Sequence, residues 1–186
     1  MRSVLLLDFM RPLSIAGSTL LFSALLLGQT ARRAPGFSLP DVNNQQHDLA
    51  DYRGKIVLLE IMHTSCAPCG PFSKVLEQIK THYGDKLAVV SITNPPDTPA
   101  MVKNFLAAQK VTYPIVLDCG QVSFSYVRPD PLHPSISIPH VYLIDRTGMI
   151  RGDFEYGVPT SEIFLGRGLY TEIDKLLGGK PDKKPH

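Results

Sequence analysis

Cys66 and Cys69 form a C-x-x-C inside the run Glu60-Ile61-Met62-His63-Thr64-Ser65-Cys66-Ala67-Pro68-Cys69. An apolar stretch, Lys55 to Ile61, ends just before the pair, and helical periodicity from Pro68 to Tyr83 begins with it. A thiol at the first turn of a helix faces unpaired backbone N–H groups and the positive end of the helix dipole, and both stabilise a thiolate. A second thiol one turn further on can close a small disulfide with the first. The expected chemistry is dithiol–disulfide exchange, with Cys66 as nucleophile and Cys69 as resolving thiol. Half of a zinc site and a purely structural disulfide are the rival readings. Tetrahedral zinc wants four ligands, and neither a second C-x-x-C nor an H-x-x-x-H is there to complete the set. No cofactor is called for.

The elements that must position the pair follow from periodicity and punctuation. Lys55 to Ile61, bounded by Gly54, suits a buried strand, and Pro68 to Tyr83 a helix with Val75, Leu76 and Ile79 on one face. Leu87 to Ile92 reads as a second strand. Thr98 caps a helix with Pro99 at its first position, running to about Lys110. Tyr113 to Leu117 is a short strand, and a weak helical patch lies at Val122 to Val127 inside a proline-rich stretch. His140 to Ile144 and Met149 to Glu155 read as strands joined by the turn Asp145-Arg146-Thr147-Gly148, and Ser161 to Leu177 as one closing helix. Phe37 and Leu39 are isolated apolar points in a polar lead-in. This order implies an α/β domain, a central mixed sheet flanked by helices, over residues 34–178. Residues 179–186 read as a disordered basic tail.

The N-terminus stands apart. Pro12 to Ala31 carries no charged residue, includes Leu20-Leu21-Phe22 and Leu25-Leu26-Leu27, and is flanked by Arg11 and by Arg32-Arg33. Residues 1–33 therefore read as a signal peptide or a membrane anchor, since the uncharged stretch is about the 20 residues that cross a bilayer. Either reading puts the rest of the chain outside the cytoplasm, where disulfides persist. A net charge of +2, without a basic stripe interleaved with aromatics, argues against a nucleic-acid partner.

Taken together, Ala34-Pro35-Gly36-Phe37-Ser38-Leu39-Pro40, Asp48-Leu49-Ala50-Asp51-Tyr52-Arg53-Gly54-Lys55, the cysteine pair, and Ile138-Pro139-His140-Val141-Tyr142-Leu143-Ile144-Asp145 with Gly148 resemble the thioredoxin fold. More narrowly they resemble exported thiol–disulfide oxidoreductases of the TlpA/ResA type, within the redoxin (AhpC/TSA-like) superfamily. The resemblance implies protein substrates such as apocytochrome c or other exported thiol proteins. The expected direction is reduction, fed by a membrane electron donor, and the oxidising direction stays open because direction follows reduction potential and the partner pool. It also gives Glu60, six residues before Cys66, the part of a buried acid that takes the Cys69 proton. A solvent-facing Glu60, paired with Lys55 or Arg53, is the plainer alternative. Pro139 matches the proline beside the family's active site, usually cis, where it would offer the Ile138 backbone to an extended partner. Ser65 stands where the family typically has Trp, and Phe72 where its reductive subgroup often has Glu.

His63 and His140 are expected near the sulfurs, where an imidazolium would lower a thiol pKa. With the cysteines they would suit copper, which makes a copper-binding chaperone one rival function, while ordinary surface or supporting histidines are another reading. A peroxiredoxin-like peroxidase is a further rival. It needs P-x-x-x-[ST]-x-x-C, and Leu59 and His63 hold the Pro and Ser/Thr positions. Cys119 reads as a lone thiol near a strand end, or as a third redox partner folded over the site.

Overall fold

A computed structural model describes residues 32–178 apart from positions 130, 132, 133 and 136. The proposed signal or anchor up to Ala31 and the tail 179–186 lie outside the described residues.

Seven consecutive buried residues, Ile56–Met62, form β4. A strand buried on both sides must be central, and β4 pairs in parallel with β5 (Leu87–Thr93) and antiparallel with β7 (His140–Ile144). Outward from β5 lies β6 (Ile115–Leu117), and outward from β7 lie β8 (Met149–Glu155) and the two-residue β1 (Arg32–Arg33). The six-stranded sheet thus runs β1-β8-β7-β4-β5-β6. A separate hairpin, β2 (Ser38–Pro40) with β3 (Gln46–Asp48), fills the lead-in.

Helices α1 (Cys69–Tyr83) and α2 (Pro99–Gln109) connect β4 to β5 and β5 to β6. Parallel crossovers of one hand put both on the same face. There Phe72, Leu76, Ile79, Val102 and Phe105 pack on Ile56, Leu58 and Met62 of β4. The opposite face, carrying Val57, Leu59 and Ile61, is covered by Ala34, Phe37 and Tyr126 of α3 (Gln121–Val127). Thr98 caps α2 as expected, its hydroxyl accepting from the Met101 amide at 3.3 Å.

Two expectations need correction. Arg32-Arg33, expected to end the N-terminal segment, belongs to the sheet: Arg32 lies opposite Ile150 and Arg33 opposite Met149. The closing helix is broken into α4 (Ser161–Phe164) and α5 (Arg167–Leu177). Gly166 sits at the break with φ +89°, and a Cβ there would lie 2.7 Å from Val75 on α1. Close approach to α1 and the left-handed backbone both demand glycine, and an uninterrupted helix would satisfy neither.

Candidate active site

β4 delivers the chain to the redox motif and α1 carries it away. Between them the backbone makes two turns, the Cys66 amide donating to the His63 carbonyl (3.1 Å) and the Cys69 amide to the Cys66 carbonyl (3.2 Å). The helix starts at Cys69 with Pro68 as its N-cap, so Cys66 precedes the first turn rather than lying in it. Cys66 and Cys69 are joined as a disulfide, with S–S 2.15 Å and Cα–Cα 5.3 Å. Their surroundings differ sharply. Cys69 is completely buried, while Cys66 is partly exposed. Of the two, only Cys66 is open to a partner sulfur.

The Cys66 Sγ lies 3.7 Å from the carbonyl oxygen of Ile138, and the Ile138–Pro139 peptide is cis. Strand β7 starts at the next residue and pairs with β4, His140 facing Ile61. Chain segments 72 positions apart in sequence meet at the sulfur.

Glu60 stands between Leu58 and Met62 on the sheet face that also buries Cys69. It is 1% exposed, which excludes the solvent-facing alternative. The Ser91 hydroxyl, opposite it on β5, donates to one carboxylate oxygen, and Oε1 has no hydrogen-bond partner among the described residues. Burial pushes the carboxyl up to about 7 against the opposing effect of that one bond. The buried Tyr113 hydroxyl makes no well-formed hydrogen bond among the described residues, although the Ser91 and Ser73 hydroxyls lie close enough to lower its pKa. Burial and the nearby Glu60 charge both push its pKa up.

The histidines do not converge on the sulfurs as a metal site. His140 Nε2 lies 2.6 Å from Asp153, and its ring stacks on Tyr142 with centroids 4.6 Å apart. His63 Nδ1 lies 3.6 Å from Asp97. Among the described residues, no group of three or more His, Cys, Asp or Glu is placed to hold a metal. Cys119 is exposed just beyond β6.

Residues 30–152 match the model of the AhpC/TSA family, two thirds of the chain. The chain belongs to this family. A thioredoxin-like protein, YneN of Bacillus subtilis, is 31% identical over 136 residues, covering 72% of this chain and 75% of that one. The thiol-disulfide oxidoreductase ResA of Geobacillus kaustophilus is 29% identical over 154 residues, covering 81% and 83%. Among solved structures, a thiol:disulfide interchange protein of the thioredoxin family from Chlorobium tepidum superposes with TM-score 0.62 at 20% identity, over 75% of this chain and 95% of that one. Another, from a Bacteroides species, reaches 0.64 at 19%, over 82% and 93%. The fold of this AhpC/TSA member is therefore thioredoxin-like. Together with the Cys66–Cys69 disulfide and these relatives, it makes the chain a thiol–disulfide oxidoreductase.

Sequence reading passed over one residue that organises this site. Asp97, expected only as part of a loop, is buried and receives the Thr64 amide (2.7 Å), the Thr64 hydroxyl (2.7 Å) and the Thr93 hydroxyl. Burial alone would raise its pKa, but the bonds from Thr93 and Thr64 and the nearby His63 outweigh that and hold it below the usual carboxylate range. Asp97 thereby ties the β5–α2 loop, with its cis Pro95–Pro96 bond, to the turn before Cys66. Thr64 and Asp97 are 33 residues apart, and no local pattern links them. Phe72, where a Glu was the family alternative, is 2% exposed and packs on Phe164 with ring centroids 4.9 Å apart.

Proposed function

We propose that the reduced protein cleaves disulfides in exported proteins through the Cys66–Cys69 pair. The Cys66 thiolate attacks one sulfur of the substrate disulfide, forming a mixed disulfide and releasing the other substrate sulfur as thiolate. Cys69 loses its proton to Glu60 and attacks Cys66, which releases the second substrate sulfur. The substrate gains two electrons, and Cys66–Cys69 is left oxidised. A membrane electron donor then restores the dithiol. Ile138 and Pro139 receive the substrate backbone beside Cys66.

One observation carries this reading: Cys66 is accessible, while Cys69 is fully buried on the face that holds the half-satisfied Glu60. Such an arrangement suits an outer attacking sulfur and an inner resolving sulfur with a base at hand. Glu60, with a pKa of about 7, can both take and return a proton near neutrality. Action outside the cytoplasm, with residues 1–33 as signal or anchor, is supported by the uncharged Pro12 to Ala31 stretch and by the compartment in which such disulfides persist.

Equilibration against glutathione and dithiothreitol with thiol trapping tests the proposal. A single two-electron transition is expected near the roughly −270 mV of a reductant, and it disappears in Cys66→Ser and in Cys69→Ser. A midpoint near about −120 mV reverses the direction, and no reversible transition rejects the exchange chemistry.

A further inference from the structure

On the sheet face opposite α1, Arg33 and Pro35 form one wall of an open groove, and Phe124, Arg128 and Pro129 form the other. Phe124 is 65% exposed although it sits on a helix whose inner side is buried. Two arginines and an exposed aromatic ring lining one groove make an amphipathic surface, suited to neither open water nor a dry core.

What covers the groove follows from the chain leading into it. The uncharged stretch Pro12 to Ala31 ends one residue before β1 begins at Arg32. Within that stretch, Gly28-Gln29-Thr30-Ala31 follow the last apolar run, Leu25-Leu26-Leu27. Arg32 is pinned: its backbone pairs with β8, its guanidinium donates to the Tyr126 carbonyl, lies 3.9 Å from Asp153 and sits over the Tyr142 ring at 5.7 Å. Arg33 is the exposed neighbour. Two residues span at most about 7 Å, which keeps Arg33 close to the end of the uncharged stretch. The headgroup layer of a bilayer is itself about 5–7 Å thick on each side. A segment that leaves the bilayer at Ala31 therefore sets Arg33 and its groove in that layer.

We propose that this groove is a membrane-contact surface, occupied by the phospholipid headgroups of the bilayer that Pro12 to Ala31 enters. The proposal rests on the anchor reading above and adds a fixed orientation to it. Arg33 and Arg128 meet headgroup phosphates, and Phe124 points to the boundary between headgroups and acyl chains, where aromatic side chains favour residence. The sheet then stands between the lipid and α1, which leaves the opening at Cys66 free for a partner.

The chain contains no Trp, so a single introduced indole reports its own surroundings. Full-length Phe124→Trp and, as a control on the other face, full-length Leu165→Trp (Leu165 is 60% exposed) are reconstituted into phosphatidylcholine–phosphatidylglycerol vesicles. The same is done with brominated acyl chains, and thiol trapping of Cys66–Cys69 checks that each variant is folded. The proposal expects both to float with the vesicles. The Phe124→Trp emission shifts to the blue and is quenched by the brominated lipid, while the Leu165→Trp emission is neither shifted nor quenched. Flotation with equal, unquenched emission from both variants overturns the contact surface while leaving the anchor intact. A blue-shifted but unquenched Phe124→Trp signal overturns it in favour of the chain's own N-terminal segment lying in the groove. Failure to float overturns the anchor and the surface together, whatever the redox transition shows.

Discussion

The two faces of the sheet treat a buried titratable side chain in opposite ways. On the α1 face, Glu60 meets one hydroxyl and no cation among the described residues, its second oxygen is unpaired, and the buried Tyr113 hydroxyl lies close enough to feel its charge. On the other face, His140 meets a carboxylate at 2.6 Å, and Arg32 reaches the same Asp153 at 3.9 Å. Tyr126 there donates to the Pro35 carbonyl at 2.8 Å. Strand alternation makes both arrangements from one rule, since consecutive residues point to opposite faces. A buried charge with a partner is a fastening. One left half-satisfied keeps its proton near neutral pH and is available for chemistry.

The largest effect separating the faces is expected at Glu60. Removing a positioned proton acceptor slows the step it serves by about 10²-fold or more, so Glu60→Gln at pH 7 slows release of substrate from the Cys66 mixed disulfide on that scale, measurable by quenched-flow trapping. The same variant changes stability. The unfolded chain loses this proton near 4.5, the folded protein only near 7, so the folded state binds more protons in that window. Stability therefore falls as pH rises from about 4.5 to 7, by roughly 3 kcal/mol in full, and Glu60→Gln flattens that slope in denaturant titrations. An unchanged slope would place the two faces on the same footing.

Across the sheet, Asp153→Asn removes a bond that solvent partly screens, Asp153 being 38% exposed. A loss of roughly 1 kcal/mol is expected, with the redox midpoint unmoved. A midpoint that moves would make His140 part of the redox machinery. The smallest and sharpest comparison uses two tyrosines. Tyr126→Phe loses a hydrogen bond and about 1 kcal/mol, whereas Tyr113→Phe removes a buried hydroxyl that has only the Ser91 and Ser73 hydroxyls near it and no well-formed bond, and costs less.

Much of this was legible in the sequence because it is local. The apolar run before the cysteines, the Thr98-Pro99 start and the strand–turn–strand around Gly148 each carry their own signal, and each element lies where that signal puts it. Cys66 and Cys69 were legible for the same reason, being three residues apart at a strand–helix junction. Features made by distant contacts were not. Two arginines carry no strand pattern, and β1 exists because the edge of β8 offers it a partner. The break at Gly166 answers to Val75 across the interface with α1. Asp97 differs from any loop aspartate only through Thr64 and Thr93, and the β2–β3 hairpin is too short and polar to announce itself.

Strand β1 also sets a limit on maturation. It is two residues long, yet it shields the start of a seven-residue strand whose open edge would invite pairing with another molecule. A protease trimming the N-terminus can cut as far as the bond before Arg32 and leave that shield in place. One cut two residues later would strip the edge, free Asp153 and the Tyr126 carbonyl from their guanidinium, and leave the start of β8 open to pairing with another chain.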